Sequence, residues 1–375
     1  MQDHFQQHVF GQTNEITIQL SFVGTLGVLI SNGLGFFSQS LEFLIGLKKS
    51  LLIGTVLVSA GLIAAGSTTE IWQLYLSIGI CYGLGDTLLY SPCMRIVAEW
   101  FDEKSRSTAM SIVASSTGIT GLVTPFIMSA INKKLGEHWT FRILGIAYFA
   151  CNLVACIIFK KRHRKDGGGQ LEKPTDSLKL STLKDLNLVI WCFSAFLQAM
   201  SLYIPVFFLP SYATYWGLTE TQGSILVSIS SGTNFIGRIL TGILADRIGC
   251  MNMNIICTMI SGIATFSVWS FAYSFQALIG YAILIGFFGG TFYALFGPIT
   301  VRIMGMEKYA LGFSWVLLAT CPGILGPTIA SAIEGVSRIE PFLSYKLFCG
   351  ALYIASSVTT AVIRWRLDKT LFSKV

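Results

Sequence analysis

The sequence predicts an all-helical, polytopic membrane protein made of two pseudo-repeated bundles of five and six helices. Three observations predict it. Of 375 residues, 53% are apolar and only 12% charged, with a mean hydropathy of +0.65. A water-soluble chain carries about 25% charged residues, so a cytosolic enzyme, a disordered scaffold and an ordinary secreted domain are excluded. The apolar residues collect in runs of about 20, the length that crosses a bilayer as a helix. These runs are continuous rather than alternating, which fits helices and not barrel strands, because backbone in lipid must satisfy its own hydrogen bonds. Finally, features of one half recur in the other at an offset of 205 to 206 residues.

Taken in order, the polar segment 1–17 is read as extracellular, and the bundle 18–159 follows it. Its five runs are Ile18 to Phe37, Ser50 to Ser67, Ile71 to Pro92, Met110 to Ile131 and Phe141 to Phe159. A polar linker, 160–187, holds eight Lys or Arg, the Gly167-Gly168-Gly169 flexor and Pro174. Its opening run, Lys160 to Lys165, reads as a stop-transfer cluster followed by a tether, with an anionic-lipid site as the alternative. The second bundle, 188–363, has six runs: Leu188 to Leu209, Ile225 to Leu244, Ile255 to Tyr273, Ala277 to Val301, Leu311 to Ile333 and Tyr345 to Ile363. A cytoplasmic tail, 364–375, closes the chain.

Orientation follows from the 26 basic residues. With the linker on the cytoplasmic side, 20 of them fall on that side and five (Lys133, Lys134, Arg142, Arg338 and Lys346) on the other, while Arg238 lies inside a helix. This is a positive-inside bias, so the net charge of +7 needs no nucleic-acid partner. Five runs before a cytoplasmic linker put the N-terminus outside. No Lys or Arg precedes Lys48, so the start lacks the basic region of a cleavable signal and the first span is expected to be retained.

The repeat shows in two places. Ala114 to Gly121 and Ala319 to Gly326 share A-x-x-x-G-I-x-G, and Gly83 to Pro92 and Gly289 to Pro298 share G-x8-P. Each of the latter runs shortly before an arginine, Arg95 or Arg302. At this offset the counterpart of the run starting at Leu188 would fall before Met1, so the expectation is a repeat entered one helix late, with the first helix absent. Parallel repeats joined by a cytoplasmic linker, with a site near the midplane, are one plan of secondary transporters.

The chemistry concentrates on the run around Arg238. Ser224, Ser228, Ser231, Asn234, Arg238 and Thr241 recur at spacings of three and four and share one helix face. Arg238 stands eight residues before Asp246, about 12 Å along the axis and close to the midplane. An arginine there either faces a watery cavity and pairs with an anionic group, or makes a structural ion pair or carbonyl contact. Asp86 is the other unusual charge: a candidate for a coupling proton, or the salt partner of an arginine such as Arg95. Tyr203, Phe292 and Tyr293 could line a pocket for a flat substrate, although aromatic residues in spans also serve as packing and interface anchors. Prolines such as Pro205, Pro298, Pro322 and Pro327 mark kinks or broken helices. Seven of the nine cysteines fall in spans and none forms C-x-x-C, so neither a disulfide framework nor a metal site is read. His4 and His8 belong to the polar N-terminal segment, and no nucleotide loop or catalytic triad spacing occurs; no cofactor is expected.

Gly242-Ile243-Leu244-Ala245-Asp246-Arg247-Ile248-Gly249 resembles the loop signature of the major facilitator superfamily, with Cys250 in place of a basic residue. In the first half the matching stretch, Gly35 to Lys49, keeps only Glu42 and Gly46-Leu47-Lys48-Lys49. The resemblance narrows to the monocarboxylate transporter family. Glu99-Trp100-Phe101-Asp102-Glu103-Lys104-Ser105-Arg106, running on to Gly118-Ile119-Thr120-Gly121, looks like that family's loop and fifth helix. Tyr203 to Ala213 is similar to the seventh helix of the fungal branch, and Gly237 to Gly249 resembles the eighth. The resemblance implies alternating-access transport of a small organic anion, often with a proton, in contact with lipid and with no nucleic acid. It makes Arg238 the substrate-binding residue, with Asn234 where animal members carry an acid, so proton coupling stays open. Fungal relatives of this kind include carriers of riboflavin and of nicotinate.

The resulting expectation is a transporter with a substrate site at Arg238, Asn234, Ser231, Ser228, Thr241, Tyr203, Phe292 and Tyr293. Asp86 is the proton-coupling candidate, and Gly242, Asp246, Arg247, Gly249 and Arg106 form a cytoplasmic gate. The expected location is the plasma membrane, with a vacuolar or other internal membrane as the alternative. A carrier-fold protein that does not transport, either a sensor or a truncated carrier, is the competing reading.

Overall fold

A computed structural model of the chain describes residues 14–159, 182, 184–337 and 340–369, which are helical between short turns, with no strand among them. The segment 1–13 with His4 and His8, nearly all of the linker including the basic run 160–165, and the tail from 370 lie outside the described residues. The chain divides into two compact units. One comprises residues 1–96 and 125–179, the other 97–124 and 180–375.

In the first unit, α1 (Asn14–Gly33) runs to Leu34, and α2 (Gly35–Ile45) continues at a bend of 54°. Gly46, at φ +86°, ends α2 and starts α3 (Leu47–Ala65) in a left-handed conformation that suits glycine. α4 is three pieces in series: Ile71–Leu74, a π-helical stretch Tyr75–Tyr82, and Gly83–Trp100 with Pro92 inside it. After α5 (Arg106–Asn132), a break at Gly136 (φ +81°) leads into α6 (His138–Ile158). Leu20, Val23, Ala65, Leu74 and Phe141 form a buried apolar cluster. Polar groups add specific ties: Tyr75 donates to the Gln19 carbonyl (2.9 Å), Thr87 to that of Ile30 (3.2 Å), and Ser31 to Asp86. Arg95 forms a buried ion pair with Glu42. The alternative pairing of Arg95 with Asp86 is not made. Nine residues apart on one helix, they are separated by about 13 Å of rise, whereas α2 brings Glu42 alongside.

The second unit contains the start of α5 and α7 (Leu186–Tyr215), α8 (Glu220–Ile248), α9 (Cys250–Ser267), α10 (Phe275–Met304), α11 (Tyr309–Val336) and α12 (Leu343–Leu367). α8 begins with a capping box in which the Thr219 and Gln222 side chains satisfy each other's backbone N–H groups. It ends at Gly249, φ +98°. α10 contains a π-helical turn, Ile285–Gly289, and α11 a 3₁₀ segment, Cys321–Leu325, opened by Pro322. The π-helical stretches therefore recur on the two members of the G-x8-P repeat, just before or at the glycine. Tyr212, Trp269, Tyr281 and Tyr353 are wholly or almost wholly buried, with Trp269 and Tyr281 stacked at 5.1 Å. Hydroxyls join helices whose apolar surfaces gain little from meeting in lipid: Ser194 lies 3.0 Å from Ser356 and 2.8 Å from Thr360, and Trp191 donates to Thr300 at 3.0 Å. Lys346, in the first turn of α12, is buried and donates to the Tyr212 hydroxyl at 3.0 Å.

Large apolar side chains such as Phe126, Ile157, Phe207 and Trp365 point outward, each more than 60% exposed. This is a liability in water and the expected surface in lipid. By length and composition eight helices among the described residues can cross a membrane, or nine if the bent pair α1 and α2 counts as one span. Of the eleven expected spans, the first, Ile18 to Phe37, is divided by the bend between α1 and α2, and each of the other ten falls largely on one helix; α4 and α8 fall outside the count. Asp86 and Arg95 on α4, and Arg238 with its Ser, Thr and Asn neighbours on α8, lower the apolarity of these two helices.

Candidate functional site

α8 carries the polar face to the centre of the second unit. Arg238 is 7% exposed there and bridges two other helices. Its Nη1 donates to the Ala114 carbonyl of α5 at 2.6 Å and to the Thr117 hydroxyl, which itself donates to the Ala114 carbonyl at 3.0 Å. Its Nε donates to the Gly290 carbonyl of α10 at 3.0 Å. The local backbone of α10 makes that carbonyl available: past the π-helical turn, the N–H groups of Ala294 and Leu295 both go to Thr291. The guanidinium carbon lies 5.7 Å from the Tyr293 ring centroid, within cation–π range. Tyr293 in turn meets Tyr203, hydroxyl to hydroxyl, at 3.1 Å. These hydrogen bonds to carbonyls and a hydroxyl tie the guanidinium of α8 to both α5 and α10.

Beside Arg238 opens a cavity of about 160 Å³. Thr117, Ser230, Ser231, Asn234 and Arg238 form its polar side, while Leu202, Pro205, Val206, Leu209, Val227 and Ile285 form the apolar side. Of the residues expected at the site, Arg238, Asn234 and Ser231 line the cavity, and Tyr203 and Tyr293 stand behind Arg238. Ser228, Thr241 and Phe292 are not among the lining residues. Ser228 instead donates to the Ser224 carbonyl of its own helix (3.1 Å). Thr241 is wholly buried and donates to Gly237 (2.7 Å). Phe292, 1% exposed, packs against Trp191 and Phe296. Thr117 and the apolar wall from α7 had not been singled out. Their signal was present in the A-x-x-x-G-I-x-G motif, which contains Thr117, and in the Tyr203 to Ala213 stretch that supplies Pro205, Val206 and Leu209. Asp86 lies in the first unit, held by Ser31.

At the far end of α8, Asp246 accepts from the backbone N–H groups of Ser107 (3.0 Å) and Thr108 (2.8 Å) and from the Thr108 hydroxyl (2.5 Å). Its carboxylate thus caps the N-terminus of α5, where the helix dipole favours a negative charge. Arg247 is exposed in the last turn of α8, Arg106 donates to the Ala98 carbonyl (3.1 Å), and an ion pair at this end joins Arg302 to Glu103 at 2.8 Å. A cavity of about 300 Å³, lined by Arg106, Asp246, Gly249, Cys250 and Arg302 among others, lies there. No group of three or more His, Cys, Asp or Glu able to hold a metal occurs among the described residues.

The chain is 29% identical, over 92% of its length, to a Saccharomyces cerevisiae protein named as an uncharacterized transporter, ESBP6; the match spans about half of that protein, 52%. It is 26% identical over 90% of its length to the fujikurins efflux protein of Gibberella fujikuroi, covering 72% of it. Its fold is similar to that of the Escherichia coli fucose:proton symporter, with a TM-score of 0.77 over 96% of this chain and 93% of that one; at 14% identity this speaks to fold alone. The Major Facilitator Superfamily model matches residues 12–327 and again 191–370. With its helices, its apolar outer surface and a match over most of its length, the chain belongs to the Major Facilitator Superfamily.

Proposed function

We propose that the chain is a secondary carrier of a small organic anion, a monocarboxylate in the first instance, working by alternating access. The observation that carries this reading is Arg238, a cation that lines the cavity and is held by carbonyl and hydroxyl groups. A guanidinium keeps its charge under all physiological conditions and presents a planar fork to a carboxylate. Asn234 and Ser231, on the same face of α8, add neutral hydrogen-bonding groups, and the apolar wall suits a short hydrocarbon body. Asp246 acts as the gate residue and Asp86 as the candidate proton carrier. The monocarboxylate transporter-like assignment and symport belong to this proposal, as does the plasma membrane location, with a vacuolar membrane as the alternative.

Uptake of labelled lactate, pyruvate and nicotinate into cells expressing the chain, compared with Arg238→Ala, tests it. The expected result is saturable uptake that falls at least tenfold in the variant; equal uptake by both removes Arg238 from the mechanism. A second reading, export of a larger metabolite, draws on the relative named for fujikurin efflux. Loading the same cells and following release separates the two directions, and including riboflavin separates the alternative substrate.

A further inference from the structure

α5 and α8 run antiparallel along a seam that meets once per turn. Asp246 sits on the N–H groups of Ser107 and Thr108. One turn along, Gly242 packs so tightly on Ser111 that any Cβ at position 242 would overlap the Ser111 side chain. Next come Arg238 on Ala114 and Thr117, and then Phe235 against Gly118, where an added Cβ would lie 3.0 Å from the Phe235 Cα. The α8 positions 235, 238, 242 and 246 are three or four apart, as are their α5 partners, so each set occupies one helix face. Three of these contacts are end capping or close packing. The fourth differs: Gly118 also reaches the cavity, but only the Arg238–Thr117 contact brings hydrogen-bonding side chains from both helices to its wall.

We propose that Arg238 is the latch of this seam and that an anion entering the cavity releases it. The inference rests on the anion reading given above and adds how binding would be coupled to movement. Both hydrogens on Nη1 are directed to α5, one to the Ala114 carbonyl and one to the Thr117 hydroxyl. A carboxylate in the cavity competes for the same hydrogens, and a charged acceptor forms roughly twice as strong a bond as a neutral one. Turning the guanidinium toward the anion removes the hydrogen-bonded contact from the middle of the seam. The close packing at Gly242 and Gly118 does not replace it, since those contacts hold only while the helices stay in register. Differential affinity for a latched and an unlatched state is what any ligand needs to shift a conformational equilibrium, and this geometry supplies it at one side chain.

The test reads the seam itself. Ser111, wholly buried at the tightest point, is replaced in the full chain by Ser111→Cys, and alkylation by N-ethylmaleimide is followed by peptide mass spectrometry at that position. The expected result is slow labelling without added anion and several-fold faster labelling with millimolar lactate or nicotinate. Labelling should also be several-fold faster without ligand when Thr117→Val or Arg238→Gln is added. Thr117→Val keeps the side-chain volume and guards against a folding failure of the arginine variant; both are checked by monodispersity. Unchanged labelling in folded Thr117→Val and Arg238→Gln overturns the latch, whatever the anions do. Faster labelling in both variants, with no response to any carboxylate in the parent, overturns the anion as trigger and counts against the anion reading, while the mechanical latch stands.

Discussion

At the scale of the residue, Arg238 depends on geometry as much as on charge. Three of its hydrogen-bonded partners, on α5 and α10, diverge from one planar group, with Nε serving Gly290 while Nη1 serves Ala114 and Thr117. A lysine ammonium is a point charge on a flexible stem and cannot reproduce a fork of donors fixed in one plane. Arg238→Lys is therefore expected to keep the charge and lose the function. Apparent affinity for a transported carboxylate should weaken at least tenfold, about 1.4 kcal/mol, in a concentration series of uptake; parental affinity in the lysine variant would mean that charge alone suffices. Much of this site was legible in the sequence, because Ser231, Asn234 and Arg238 repeat at the helical period and a charge in an apolar run stands out. Thr117 was less legible. A threonine in a membrane helix is common, and its importance comes from a neighbour 121 residues away, which no local pattern encodes.

At the scale of the element, the buried Glu42–Arg95 pair shows how two bent helices are fixed. α2 follows α1 at 54°, and α4 passes through a π-helical stretch and Pro92 before reaching Arg95. Both side chains are largely buried, and a buried pair broken on one side leaves an uncompensated charge that typically costs about 3–5 kcal/mol. Replacing both partners with apolar residues of similar volume is often neutral. Glu42→Ala should lower the melting temperature in detergent clearly, while Glu42→Leu with Arg95→Met should recover most of the loss. If the double variant is no better than the single, the pair contributes through something other than charge compensation. The sequence places Glu42 as a remnant of the loop signature without a neighbouring base, and its partner lies 53 residues on. The ion pair is invisible to spacing because it forms only after α2 and α4 have packed. The helices themselves were easier to read, since continuous apolar runs leave few alternatives in lipid. The π-helical turns were not, although the repeated glycines and prolines mark where they fall.

At the scale of the whole molecule, the asymmetry of basic residues makes a claim about sidedness that α11 can test. α11 covers Tyr309–Val336, 28 residues, or about 40 Å of helix, against a hydrocarbon core of about 30 Å. Its two ends must then emerge on opposite faces of the membrane. Lys308, at the start, is exposed and belongs to the side holding 20 of the 26 basic residues; Gly335, at the other end, is exposed and has no atom within 4 Å of where a Cβ would stand. Neither position offers a side chain whose replacement should disturb packing. Positive-inside placement assigns Lys308 to the cytoplasm, and with it the Arg302–Glu103 pair and the Asp246 cap at the same end of the seam. In intact cells, Gly335→Cys should react with a membrane-impermeant maleimide, and Lys308→Cys should react only after permeabilisation, each read on its own peptide so that the nine native cysteines do not interfere. The reverse pattern would place the Asp246 end of the seam outside and turn the proposed gate into an outer one. Labelling of both positions from one side would mean that α11 does not cross, which its length and apolarity argue against.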